Sequence, residues 1–145
     1  MDEKTSRHFA EIIELAESVF ENVTYEIDAT PDRSILRIDA EYGKYQIFVT
    51  ELFSAGIRKY RYYVMRGDWV DAGFDNAPDP RALRLKYGKI GEEPAGENIP
   101  HLHREDKSQL YLTEEMSFQG FVGWLKGNLW PTKRTARSNR LNPVK

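Results

Sequence analysis

Apolar and polar positions change period along this chain, and each change marks an element. Between Thr5 and Phe20, the residues Phe9, Ile12, Ile13, Ala16, Val19 and Phe20 recur at three- and four-residue intervals, with Glu11, Glu14 and Glu17 mostly off that stripe. This predicts an amphipathic helix, N-capped by Thr5 or Ser6. From Val23 to Asp75 the period becomes two: Tyr25 and Ile27, then Leu36, Ile38 and Ala40, then Tyr45, Ile47 and Val49, then Tyr60, Tyr62 and Val64 alternate with polar neighbours, and Trp69 to Asp75 follows. Turns at Gly43-Lys44 and Gly67-Asp68 and a short loop around Ser54-Ala55-Gly56 are too brief for parallel crossovers, so the strands form an antiparallel meander. Leu110 to Leu112 reads as a last short strand. Phe118, Phe121, Val122, Leu125 and Leu129 give a second helical stripe, predicting a helix from about Thr113 to Asn128. Gly120, Gly123 and Gly127 fall on nearly one face of it, a placement expected to let its backbone approach a sheet or another chain. The fold class is therefore α+β, with an antiparallel meander sheet of about five or six strands flanked by an N-terminal and a C-terminal helix. Phe48, Leu52, Tyr63 and Met65 add apolar surface to the sheet's second face.

Pro78 to Asn98 breaks the periodicity. It holds Pro78, Pro80, Gly88, Gly91, Pro94 and Gly96 around the short run Leu83 to Tyr87, and reads as a long excursion with one turn of helix or a short strand. Excursions of this length inside a compact domain are usually functional or disordered. With 145 residues the chain fits one domain over residues 1–131, followed by a basic, disordered tail over 132–145. That tail carries Lys133, Arg134, Arg137, Arg140 and Lys145 without an acid, although the net charge of the whole chain is −2. Such a tail suits RNA, DNA or an acidic protein partner, or simply keeps the terminus solvated.

Cysteine is absent, which excludes disulfides, thiolate zinc sites and a cysteine nucleophile, and fits a reducing cytoplasm. The acidic start Met1-Asp2-Glu3-Lys4 does not resemble a secretory signal, and no apolar run reaches the length of a membrane helix. A cytoplasmic protein with no membrane contact is expected.

The candidate chemistry lies in Gly73-Phe74-Asp75-Asn76-Ala77-Pro78 and Ile99-Pro100-His101-Leu102-His103-Arg104. In extended backbone, His101 and His103 point to one side. Imidazoles so placed exchange protons with a substrate, bind a metal, or only hydrogen-bond on a strand edge. A metal would need a further ligand, by type Asp75, Asp79 or His8; the expectation here is no resident metal or cofactor. Asp75 and Asn76 before Pro78 form a turn first, and secondarily an acceptor that orients a histidine. The run Arg58-Lys59-Tyr60-Arg61-Tyr62-Tyr63 suits either cross-strand packing or base stacking. Nearby His8 reads as a partly buried helix residue.

Taken in order, Lys59-Tyr60-Arg61-Tyr62-Tyr63, Gly73-Phe74-Asp75-Asn76, Pro100-His101-Leu102-His103 and the terminal helix resemble the TumE-like toxins of prokaryotic type II toxin–antitoxin pairs over roughly residues 45–129. Two features depart from that pattern: Asp79-Pro80 stands where members often carry further histidines, and the stretch before His101 is longer. The resemblance implies growth inhibition by the free protein and neutralisation by a cognate antitoxin. The expected function is a toxin-like component acting on RNA or translation, with a histidine-dependent ribonuclease as one form of that action. In that role His101 and His103 transfer protons, Asp75 orients a ring, and Asn76, Arg61, Tyr62, Arg104 and Lys107 bind substrate. The alternative is a non-catalytic interaction module that forms a homodimer or grips an acidic partner.

Overall fold

A computed structural model describes residues 1–88 and 96–131 of the chain. The elements run α1 (Glu3–Val19), β1 (Glu21–Ala29), β2 (Arg33–Tyr42), β3 (Tyr45–Ser54), β4 (Ile57–Arg66), β5 (Trp69–Asp75), α2 (Pro80–Tyr87), β6 (His101–Arg104), β7 (Gln109–Leu112) and α3 (Phe118–Asn128). All seven strands pair antiparallel with their sequence neighbours, in the order β1 to β7. The fold is thus α+β with a meander sheet, as the periodicity predicts, and the strand beyond the expected six is β6, which carries the histidine pair. The Ala55-Gly56 connection shows why this topology follows from the sequence. Both residues have positive φ (52° and 75°), the twist that a two-residue hairpin needs, and glycine supplies half of it without steric cost.

Alternation assigns two faces to the sheet. Leu36, Ile38, Ile47, Val49, Tyr62, Val64 and Phe74 meet Phe9, Ile12 and Ala16 of α1 and Phe118, Phe121 and Leu125 of α3 in one core. Aromatic rings dominate where α3 crosses β4 and β5: Tyr62 stacks on Phe121 at 5.1 Å, and Phe74 meets the Trp124 ring edge-on at 5.1 Å. On the opposite face, cross-strand rows place Tyr63, Gly73, His103 and Leu110 side by side, with Arg61, Asp75, His101 and Leu112 in the next row. The second helix covers this face at the β6–β7 end, where Ala82 and Leu83 pack with Ile99 and Leu110.

Helix ends differ from the sequence expectation for local reasons. Asp2 caps α1, its carboxylate accepting from the Thr5 N–H at 2.7 Å, so the helix starts before Thr5 and Ser6. Ser117 caps α3, and Thr113 to Met116 stay non-helical. The run read as a single turn is a two-turn helix, α2, capped by Asp79, opened by Pro80 and closed by Gly88 at φ +83°. The glycine face of α3 is open at two of its three positions: among the described residues nothing lies within 4 Å of where a Cβ would stand at Gly123 or Gly127, whereas at Gly120 a Cβ would meet Met116 and Ser117 just before the helix, at 2.9 and 3.2 Å. The expected basic tail, residues 132–145, lies outside the described residues. Among the described residues no helix is long and apolar enough to cross a membrane.

This arrangement predicts opposite signs for two kinds of substitution in α3. Gly123→Ala and Gly127→Ala should each stabilise by about 0.5–1 kcal/mol, since helical glycine costs entropy and nothing obstructs a methyl there. Phe121→Ala should destabilise by about 3–5 kcal/mol. Urea denaturation checks both; destabilisation by the alanines would mean that the glycine face is in fact packed.

Candidate functional site

Strand register brings the two sequence segments together. Asp75, the last residue of β5, pairs with His101 of β6, and Gly73 pairs with His103. All three polar side chains emerge on the α2 face. His101 Nε2 lies 3.5 Å from Asp75 Oδ1, and His103 Nε2 lies 3.9 Å from Asp75 Oδ2. The imidazole rings meet edge to face at 4.8 Å. All three residues are buried, with exposures of 4% for Asp75, 1% for His101 and 3% for His103. Asp75 is pinned by the turn that follows it: the Ala77 N–H donates to Oδ1 at 2.7 Å, and the Tyr63 hydroxyl donates to Oδ2 at 3.4 Å. Gly73 makes room for that tyrosine, whose ring would stand 2.8 Å from any Cβ there.

Hydrogen-bond partners define the protons. His101 Nδ1 lies 2.6 Å from the Ile99 carbonyl, which only accepts, so Nδ1 carries hydrogen. The Arg81 guanidinium, which only donates, reaches His103 Nδ1 at 3.4 Å; the neutral ring therefore carries its proton on Nε2, facing Asp75. Burial, followed by the neighbouring His101, pushes the His103 pKa down from 6.5 to about 4, against the pull of Asp75. Burial and then the Asp75 charge push the Tyr63 hydroxyl up to about 12, so it stays a donor. Asp75, His101 and His103 also form a set able to hold a metal ion, their ligand atoms lying within 4.8 Å of one another.

Cations and strain surround this centre. Lys107 Nζ and the Arg61 guanidinium sit 5.2 Å and 5.5 Å from the Tyr63 ring. The β6–β7 turn holds Glu105, Asp106 and Lys107 at φ of 51°, 55° and 69°. Left-handed backbone at non-glycine residues costs roughly 1–3 kcal/mol each. Asp106 offsets part of this by clasping Val70, donating its N–H to the Val70 carbonyl at 2.8 Å and accepting from the Val70 N–H at 3.0 Å. The Lys107 carbonyl accepts from Arg81 at 2.7 Å. A cleft of about 180 Å³, bordered by Thr50, Leu52, Lys59, Arg61 and Asp75, lies beside the centre on the β4 side, and neither histidine lines it.

The remaining sequence candidates separate. Arg61 and Lys107 share the histidine face. Asn76 is adjacent but occupied: its carbonyl oxygen accepts from the Tyr60 N–H and its amide donates to the Arg58 carbonyl, both at 3.1 Å, extending the ladder past the end of β5. Tyr62 and Arg104 lie on the other face, one residue out of phase with the centre. Tyr62 is buried beside Glu51, while Arg104 donates to the Asp71 carbonyl at 2.8 Å and rests over Trp124. Strand alternation therefore removes both from contact with the histidines.

A second polar centre escaped the sequence reading. Glu51 is fully buried on the helix face and is bonded by His8 at 3.2 Å, by Arg58 at 3.0 and 3.1 Å, and by the Tyr62 hydroxyl. Arg58 also reaches Glu115 at 2.7 Å and the Met116 carbonyl at 2.8 Å, joining β3, β4, α1 and the entry to α3. The available signal was Glu51 itself, which falls on the inward phase of Tyr45, Ile47 and Val49. His8, partly buried as expected, borders a cleft of about 550 Å³ between the start of α1 and the β3–β4 turn.

Burial alone would raise the Glu51 carboxyl, but the bonds from His8 and Arg58 and the Arg58 charge outweigh it and hold the group below its ordinary 4.5. A carboxyl depressed in the folded state stabilises above its unfolded pKa, and that stability is lost as pH falls through the folded value. Acid titration of folding stability should therefore decline below about pH 4.5, and Glu51→Gln should both lower stability at pH 7 and flatten that decline. An unchanged acid slope in the variant would contradict this assignment.

No family model, curated protein or solved structure matches the chain.

Proposed function

We propose that this chain is the toxin of a prokaryotic toxin–antitoxin pair and that it cleaves RNA at the Asp75–His101–His103 centre. The supporting observation is the convergence of a carboxylate and two imidazoles from β5 and β6 on one sheet face, with nitrogen-to-oxygen separations of 3.5 and 3.9 Å. Cleaving an RNA phosphodiester requires a group to take the 2′-hydroxyl proton and another to protonate the leaving 5′-oxygen. It also requires donors for the charge that develops on phosphorus. In this reading one imidazole takes the proton and the other returns one, while Asp75 fixes ring orientation. Arg61 and Lys107 hold phosphate, and substrate approaches along the cleft beside Lys59 and Asp75. The toxin assignment draws on the likeness of the aromatic strand, the Asp-Asn turn and the His-x-His strand to TumE-like toxins.

A cleavage assay with purified protein and mixed RNA tests this. Wild type should cut, and His101→Ala or His103→Ala, confirmed folded by circular dichroism, should each lower the rate at least about a hundredfold. Absence of cleavage by wild type, or equal cleavage by the variants, removes the reading.

Near-complete burial of both imidazoles favours a second reading, a non-catalytic module that self-associates. Here the centre only braces the sheet, and association uses the outer strand β1, where Tyr25 and Ile27 are 51% and 41% exposed. Light scattering coupled to size exclusion separates the two: a dimer lost in Tyr25→Ser/Ile27→Ser, alongside RNA left intact by wild type, selects the module.

A further inference from the structure

We infer that Asp75, His101 and His103 bind one first-row transition-metal dication, so that the centre on which the ribonuclease reading rests is a metal site. Because His101 Nδ1–H is committed to the Ile99 carbonyl, Nε2 of the neutral ring presents a lone pair, and it presents it to the Asp75 carboxylate at 3.5 Å. When that ring is neutral, two electron-rich atoms face each other at a nearly buried site, and among the described residues no donor reaches that nitrogen. Either a proton on Nε2 or a cation between them resolves the conflict, and the second imidazole converging on the same carboxylate favours the cation. An imidazole anchored through Nδ1–H to a backbone carbonyl, with Nε2 free, is also the arrangement that prepares a histidine for metal coordination.

The donor set chooses the class of ion. Two imidazole nitrogens and one carboxylate oxygen suit zinc, manganese, iron or cobalt in the divalent state, whereas calcium and magnesium prefer oxygen alone. Ligands held about 2.1 Å from one ion stand about 3 to 3.5 Å apart. The Asp75–His101 separation of 3.5 Å already meets this. The 3.9 Å separation of His103 from Asp75, and the 4.8 Å span of the set, call for closure by roughly 1 Å. Three protein ligands leave coordination positions open, and an ion with an open position lowers the pKa of bound water and polarises a phosphoryl oxygen. With both imidazole nitrogens on the ion, the proton transfer assigned above to the two histidines would pass to that water, and the histidines would serve as ligands.

One feature of the surroundings opposes the ion and so makes the inference sharper. His103 coordinates through Nε2 only after its proton moves from Nε2 to Nδ1, and Nδ1–H then faces the Arg81 guanidinium now 3.4 Å away. Arg81 must turn aside, toward the Lys107 carbonyl and the Asp79 carboxylate that it already contacts at 2.7 and 3.6 Å. Removing Arg81 should therefore tighten metal binding, an effect that loss of a purely structural contact would not produce.

The test is titration of the full chain, purified without a polyhistidine tag and stripped with chelator, using Mn²⁺, Co²⁺ and Zn²⁺ alone. Calorimetry should give one ion per chain, and Co²⁺ should develop visible absorption bands from nitrogen and oxygen ligation. Asp75→Asn and His101→Ala, shown folded by circular dichroism, should each weaken affinity at least about a hundredfold, whereas Arg81→Ala should strengthen it. Failure of all three ions to bind wild type, binding unaltered by Asp75→Asn and His101→Ala, or weaker binding by Arg81→Ala overturns the site. Cleavage of RNA is scored separately with and without chelator. Metal binding without cleavage keeps the site and removes the ribonuclease, and cleavage by protein that calorimetry shows to bind none of the three ions does the reverse.

Discussion

The pairing of β5 with β6 is the constraint on which the rest of this structure depends. Opposing Asp75 to His101 and Gly73 to His103 puts a carboxylate and two imidazoles in adjacent rows of one face. Slipping the register by one residue would send both rings to the helix face among Phe74, Trp124 and Phe121, where no carboxylate waits. Asp106 clasps Val70 of β5 from the strained β6–β7 turn and so holds this register directly. Asp75 ties itself to its own turn through Ala77, and Asn76 continues the ladder between β5 and β4 with its own amide. Each spends a polar side chain on backbone geometry beside the centre. That concentration of local order is what a site needing sub-ångström placement requires.

The two faces of the sheet divide the work. Beneath α1 and α3 lies an aromatic core, braced by the buried Glu51–Arg58–Tyr62–His8 network, which locks the long strands together. Such a network is costly when half made, because an unpaired buried carboxylate has no water to turn to. Beneath α2 the apolar cluster among the described residues is small, Ala82, Leu83, Ile99 and Leu110, and it lies beside the charged and titratable groups of the candidate centre. The main apolar core lies on one side of the sheet and the candidate centre on the other. Polar residues on the second face are thereby free to serve geometry rather than folding energy.

Much of this was legible in the residues. The change of period from 3.6 to 2, with the brief glycine-containing turns, was enough for the meander and its two flanking helices, since hairpins leave the topology little choice. The same-side placement of His101 and His103 also followed from alternation. Their conjunction with Asp75 was only suggested by residue type, because β6 and its pairing with β5 were not among the expected strands. Less legible were features set by contacts between distant segments. Tyr62 and Arg104 look like neighbours of the site because they are adjacent in sequence to Tyr63 and His103, yet a one-residue offset in a strand is a change of face. Glu51 looks like a solvated charge until Arg58 and His8 are seen to meet it from other elements. The glycines of α3 suggested close packing by composition alone, and only the neighbouring coordinates show that their face is open at Gly123 and Gly127.

Asp75 sets the tautomers of His101 and His103 differently within one centre. Nitrogen-detected NMR of the imidazole rings, in wild type and in Asp75→Asn, reads those tautomers most directly. His101 should be protonated at Nδ1 in metal-free protein, His103 should remain neutral until the solution approaches about pH 4, and both ring environments should move when the carboxylate is replaced. Two rings that exchange tautomers as freely as exposed histidines, and that ignore the substitution, would contradict that assignment.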